Sequence, residues 1–384
     1  MDNKAVQKGT VLTFCGANFF RQRLVLATLS QRSIIISNIR EHDLSPGLAD
    51  YEADFLKLMT EITNGTEASV NETGTEIFYK PGVLHGGNIE HSCVLSKSVT
   101  YFLEGLIYLA PFCKSALNVR LFGITNDYIE QSVDSFKQAA LPIIGKFMFT
   151  DGLDLEIVNR GAPPLGGGEV RFKAPICKTL RPVQFTNPGK IKRIRGWAFS
   201  MKTNPQVTSR MIDSAKELLL RFLPDIYIYT DVCKGKKGGN CPGFGICLVA
   251  ETKDGVFYAA DAMSDPSKGR ELMIPEDIGK KAAVRLVQEI YRGGCVDTAN
   301  QSLVLLLMAL GPTDISKYQL GPLTPYTIQF LRHLKDFFGI TFKIEQDRRL
   351  PVDKNSGEAL KLGGDKVLLT CLGVGYLNFS KKVS

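Results

Sequence analysis

Histidine is scarce in this chain: there are four in 384 residues, His42, His85, His91 and His333. No two stand at metal-ligand spacing on a helix, and neither H-E-x-x-H nor H-x-E occurs, so no metal site is expected. His333 falls between Arg332 and Leu334 in a helical pattern whose apolar face is Ile328, Leu331, Leu334 and Phe338, which places it on the polar, solvated side. No Ser-His-Asp arrangement can be built from these positions. Nucleotide signatures are missing too: neither G-x-x-x-x-G-K-[ST] nor a strand-to-helix G-x-G-x-x-G is present, and no cofactor is expected. The triple glycine Gly166-Gly167-Gly168, after Pro163-Pro164, reads as a tight turn before a strand rather than as a phosphate cradle.

The nine cysteines are scattered and none forms C-x-x-C, which argues against a zinc ribbon or a disulfide framework and suits a reducing compartment. Cys93 and Cys247 lie in apolar runs and are expected to be buried thiols. The longest apolar run, residues 303–310, is far short of the ~20 residues that span a bilayer, and the N-terminus has no signal-peptide core. A soluble chain without a membrane partner is expected. No long low-complexity tract occurs, and a loop at 351–364 is the segment expected to be most mobile.

What is present is a chain with 44% hydrophobic residues, enough for a sizeable core and for two domains. Its net charge of +8 favours anionic partners, nucleic acid before a membrane surface. Strand and helix patterns alternate. Strands are predicted at 11–15, 33–37, 67–70 and 76–79, with helices at 19–29 and 51–62. A similar order follows: a helix at 93–109, a strand at 117–122, a helix at 133–147 that Pro142 could break, and strands at 154–158 and 169–172. Repeated β-α-β-α-β-β order predicts small sheets with helices on one face. Composition then shifts near 182–196, and a compact α/β segment follows. Its helix is given Asn204 as N-cap and Pro205 as first residue. The fold class is therefore α+β. A large domain of repeated units (1–184 and 285–384) is interrupted by a smaller inserted α/β domain (185–284).

Two basic clusters carry weight. Lys190, Lys192, Arg193 and Arg195 alternate with isoleucines. Strict strand alternation puts Lys190, Lys192 and Ile194 on one face and Ile191, Arg193 and Arg195 on the other, neither cleanly apolar. Lys234, Lys236 and Lys237 form a glycine-flanked cationic loop. Both clusters fit a phosphate backbone, and both fit a merely solubilising surface. The carboxylate pairs Asp151/Asp154 and Asp225/Asp231 lie at strand edges and read as solvated turn residues.

Several stretches together resemble the RNA 3′-terminal phosphate cyclase family, and more narrowly its eukaryotic cyclase-like branch. They include Ser37-Asn38-Ile39-Arg40, Gly86-Gly87-Asn88, Gly123-Ile124-Thr125-Asn126-Asp127 and Arg160-Gly161-Ala162-Pro163. The most branch-specific runs are the 188–196 stretch, Tyr291-Arg292-Gly293-Gly294-Cys295-Val296-Asp297, and Leu323-Thr324-Pro325-Tyr326-Thr327. Enzymes of the family adenylate a histidine, pass AMP to an RNA 3′-phosphate and close a 2′,3′-cyclic phosphate. Against that pattern, Leu323 stands at the nucleophile position. The glycine-rich signature is replaced by Gly16-Ala17-Asn18-Phe19-Phe20, whose two phenylalanines would obstruct a nucleotide, and a helix glutamine has become Glu104.

Arg21 and Arg40 fall where the enzymes hold arginines near phosphate. With Asn126 and Asp127 they outline a relict anion pocket, although the two arginines could equally form only surface ion pairs. The resemblance implies a non-catalytic, nucleolar ribosome-assembly factor of the small-subunit processome, acting with the U3 snoRNP in early pre-rRNA cleavages toward 18S rRNA. A nucleolar GTPase and pre-rRNA are the implied partners. The alternative is a pre-rRNA endonuclease that reuses the pocket, and a third option is a protein-interaction scaffold.

Overall fold

The computed structural model describes residues 11–265, 274–347 and 363–378; the loop expected at 351–364 lies almost wholly outside the described residues. Three units share one topology. The first runs β1 (Leu12–Cys15), α1 (Phe20–Ser30), β2 (Ile34–Ser37), α2 (Asp50–Ile62), a two-residue strand β3 (Thr63–Asn64), β4 (Glu67–Val70), β5 (Ile77–Lys80) and β6 (Val83–Leu84). Its main sheet has the order β1-β2-β5-β4, with a parallel first pair and antiparallel pairs after it. Ile34 and Ile36 alternate inward on β2, while α2 buries Phe55, Leu56, Leu58, Met59 and Ile62 along one stripe.

The second unit comprises β7 (Gly87–Ser92), α3 (Val99–Leu109), β8 (Leu117–Gly123), α4 (Val133–Ser135), α5 (Leu141–Phe147), β9 (Asp154–Asn159) and β10 (Gly168–Ala174), in the sheet order β7-β8-β10-β9. Strand β7 carries few β-branched residues and has no separate sequence signal. Helix α3 starts at Val99 rather than Cys93, because Ser98 caps it by accepting from Thr100 N. Pro142 does not break the helical stretch. It stands in the first turn of α5, and a π-turn over Phe136–Ala140 joins α4 to α5.

Strand β11 (Gln184–Phe185) opens the third unit, and the chain then departs into the insert: β12 (Ile191–Met201), α6 (Gln206–Leu219), β13 (Ile226–Cys233), β14 (Gly243–Thr252), β15 (Phe257–Met263) and α7 (Pro275–Arg292). Its sheet has the order β13-β12-β14-β15, and α6 and α7 pack on each other and on the sheet. Helix α7 runs through residue 284. Helix α6 begins one residue later than expected, with Pro205 at its cap and Asn204 Oδ1 accepting from Gln206 N.

The third unit resumes with α8 (Gln301–Ala309), β16 (Ile315–Leu320), α9 (Pro325–Phe338), β17 (Lys343–Gln346) and β18 (Val367–Leu372). Its sheet, β11-β16-β18-β17, repeats the order of the other two, so the insertion falls inside the last unit, after its first strand. Helices α1, α3, α8 and α9 meet in one core. Helix α8, apolar on every side from Leu303 onward, is buried along its whole length.

Candidate functional site

The turn between β1 and α1 is wound tightly, with Gly16 and Phe19 both in left-handed backbone (φ 71° and 60°). Phe19 lies against α9, its ring 5.9 Å from Tyr326 and 6.2 Å from His333. Phe20, expected to obstruct as well, turns into the core and is 3% exposed. Arg23, one turn on, donates to Gly16 O at 2.6 Å and packs over Phe14, pinning the turn from inside.

Beside this turn is a cavity of about 280 Å³ lined by Arg21, Arg40, Lys97, Glu52, Tyr51, Tyr101 and Tyr326 among others. Every cation here has a carboxylate of its own. Arg21, on the first turn of α1, donates to Glu104 of α3 and to Tyr101 O, and stacks over the Tyr101 ring. Tyr326 donates to the other Glu104 oxygen at 2.7 Å. Arg40 makes a two-pronged contact with Glu52, both bonds 2.7 Å, and a third to Gly47 O. Lys97 meets Glu130 at 2.9 Å. Burial presses Arg21 toward its neutral form, but Glu104 and the neighbouring phenols outweigh it and hold its pKa well above the usual value. The hydrogen bonds to Glu52 likewise raise Arg40.

Glu104 is therefore central to the site. A glutamine there would leave the Arg21 guanidinium uncompensated and available to a phosphate, whereas the carboxylate occupies it.

Leu323 does not line this cavity. It is half-buried against the core, and the segment around it is a helix start: Thr324 caps α9 by accepting from Thr327 N at 3.1 Å, with Pro325 as first residue. Buried Gln301 fastens that start. It donates to Pro322 O, and its Oε1 accepts from Thr327 Oγ1 at 2.8 Å. Sequence reasoning missed Gln301, Tyr326, Tyr101, Glu52 and Lys97; only the apolar run after Gln301 hinted that it begins a buried helix.

His333 is the clearest correction. It is fully buried, between Gln22 and Gln329 at 3.0 Å each, and stacks edge-on to Phe14. Burial first, and then Arg23, depress its pKa to about 3. The α9 side that looks polar in sequence is the side that packs on α1.

Asn126 and Asp127 do not line the cavity. Asn126 is buried beside Arg160, which grips both oxygens of Asp134 (2.6 and 2.8 Å) and reaches Asp231 of the insert at 2.8 Å. Burial disfavours the charge on both Arg160 and Asp134, yet their pairing raises the pKa of the arginine and lowers that of the aspartate. Asp127 closes a turn by accepting from Ile129 N and Glu130 N. The structure thus brings Arg21 and Arg40 together and separates Asn126 from them.

The basic clusters lie on the insert. A bulge between Ile191 and Arg193 overturns strict alternation there, bringing Lys192 (4.0 Å) and Arg193 (2.5 Å) to the same Glu251. Ile194 points inward, and Arg195 pairs with Asp225 at 2.8 Å. The Lys234 loop is a short 3-10 turn, Gly235–Gly238, tied to the second unit where Arg160 N donates to Lys237 O; Lys234, Lys236 and Lys237 themselves are exposed. The triple glycine packs against it, since a side chain at Gly167 would meet Asn240. None of the nine cysteines, all of them among the described residues, is in a disulfide, and Cys93 and Cys247 are buried.

Residues 12–344 match the family described as RNA 3′-terminal phosphate cyclase. The chain belongs to that family. Within it, the chain is 53% identical to the RNA 3′-terminal phosphate cyclase-like proteins of mouse and human, over 96% of this chain and 97% of each relative. It is 36% identical to the rRNA processing protein rcl1 of Schizosaccharomyces pombe, over 98% of this chain and 99% of that one. Three units of one topology with an α/β insert are the cyclase-family fold in this chain, and the Arg21–Glu104 cavity lies where all three units meet, with Arg21 from the first, Glu104 from the second and Tyr326 from the third.

Proposed function

We propose that this chain is a non-catalytic rRNA-processing factor, a cyclase-family fold kept for binding. One observation carries the reading: each cation at the cavity is neutralised by its own carboxylate, Arg21 by Glu104, Arg40 by Glu52 and Lys97 by Glu130. An adenylate phosphate would have to displace these carboxylates, two of which sit in largely desolvated pairs. The side chain at the family's nucleophile position, Leu323, has no atom that can attack phosphorus. The process is supported by the name of the fission yeast relative.

In its finer form, the chain works in the nucleolus within the small-subunit processome and the U3 snoRNP. It docks a nucleolar GTPase and touches pre-rRNA during the early cleavages toward 18S rRNA. The net charge of +8 supports an anionic partner.

Incubation with ATP labelled at the α-phosphate should leave no covalent adenylate on the protein. Depleting the chain from cells should accumulate uncut 18S precursor. A stable protein adenylate, or normal maturation without the chain, overturns the reading. Cleavage of a pre-rRNA fragment by the purified protein, lost in Arg21→Gln, would replace it with an endonuclease.

A further inference from the structure

The outer face of the insert's sheet is divided. One half is covered by the second unit: Phe199 lies under Arg160, Asp231 pairs with Arg160, and Asp261 accepts from Ser132 N. The other half is open, and it is aromatic. Across β12 and β13, Arg195 stands opposite Tyr227 and Trp197 opposite Tyr229, so these four side chains share one face. Tyr227 is 55% and Tyr229 46% exposed, with Trp197 half-buried beside them. Trp197 and Tyr229 are nearly parallel (23°, centroids 5.7 Å apart), and Tyr227 meets Tyr229 edge-on at 4.6 Å. No base fits between rings so close, so what they offer a ligand is their outward faces.

Cations flank these rings. The bulge turns Lys192 and Arg193 outward onto Glu251, and Arg195 reaches Asp225, which leaves three cations against two carboxylates on this stretch. The Lys192 and Arg193 side chains are 52% and 38% exposed, so their pairing is weak and can be exchanged for phosphate. Strand β13 is the edge of the sheet, so a chain can cross the rings without meeting another strand. Exposed aromatic faces bordered by a cation surplus are what unpaired bases on a phosphate backbone require.

We infer that this open half is a stacking platform for single-stranded RNA. Tyr227, Tyr229 and Trp197 take base faces, and Lys192, Arg193 and Arg195 take phosphates. This rests on the rRNA-processing reading and adds to it the surface and the strandedness of the ligand.

Trp197 is the chain's one tryptophan, so its emission reports the platform alone. Titrating the full chain with an unstructured RNA of roughly 12 nucleotides should quench that emission. The double variant Tyr227→Ala/Tyr229→Ala should weaken binding at least about tenfold with an unchanged melting curve, while Tyr227→Phe/Tyr229→Phe should bind as the parent does. Arg193→Gln/Arg195→Gln should instead flatten the salt dependence. Three results overturn the platform: RNA binding without quenching and indifferent to the tyrosines, failure of the full chain to bind the RNA, or tyrosine variants that lose the GTPase but keep RNA. None of these touches the depletion result, which decides the processing role separately.

Discussion

Arg21 and Arg195 are both arginines with a carboxylate partner and a tyrosine close by, yet they sit in opposite settings. The Arg21 side chain is 12% exposed and its partner Glu104 16%, whereas Arg195 is 25% exposed and its partner Asp225 55%. At the cavity, the pair is desolvated, boxed by Tyr101 and Tyr326, and committed to its partner. On the insert, water and salt screen the pair, and the guanidinium can change partners at little cost. A count of arginines and tyrosines in sequence treats these places alike. What separates them is which carboxylate the fold delivers, and how dry the meeting place is.

Substitutions can break this contrast in graded steps. The largest effect should come from Arg160→Met, which leaves buried Asp134 without its cation and severs the tie to Asp231; a loss of about 3–5 kcal/mol in denaturant unfolding is expected. Glu104→Gln should cost less, roughly 2 kcal/mol, because Arg21 keeps Tyr101 O and the Tyr101 ring. The same variant sharpens the comparison, since the freed guanidinium should gain measurable affinity for a phosphate anion that the parent lacks.

A third test is acid. His333 titrates near 6.5 when unfolded and at about 3 when folded, so the unfolded chain takes up the proton first. Its stabilising contribution is present above about pH 6.5 and is lost as pH falls toward 3; melting temperatures across that window should drop, and His333→Gln should remove part of the slope. The smallest effect belongs to Arg195→Gln, for which the melting curve should be indistinguishable from that of the parent.

The repeat order was legible because its strands and amphipathic helices follow their own periodicity. Residues 67–70 are a strand as expected. Strand β7 was not legible. Its sequence Gly-Asn-Ile-Glu-His-Ser has one β-branched residue, and its place is set by parallel pairing with β8. At the site, Arg21 and Arg40 stood out as cations, but their partners lie 83 and 12 residues away, and no local pattern carries a pairing of that span. His333 failed for a related reason. Helix α9 keeps a solvent face at Arg332, Lys335 and Asp336, but His333 lies just off it on the side that packs against α1, where two glutamines satisfy the ring in place of water. The aromatic face of the insert was missed because Tyr227 and Tyr229 read simply as strand formers until Trp197 is placed next to them.

The break in the third unit has a consequence for how the chain comes together. Phe185 pairs with Tyr318 across the insertion, and Val183 N meets Ser316 Oγ 133 residues along the chain. A ribosome must synthesise the entire insert before β11 can find β16, and closing so long a loop from an unfolded chain is slow. If the insert folds first, it draws its two ends together and shortens that search. The insert would then act as the clasp that lets the last unit close, and a lesion in its sheet would be felt first as delayed maturation of the whole molecule.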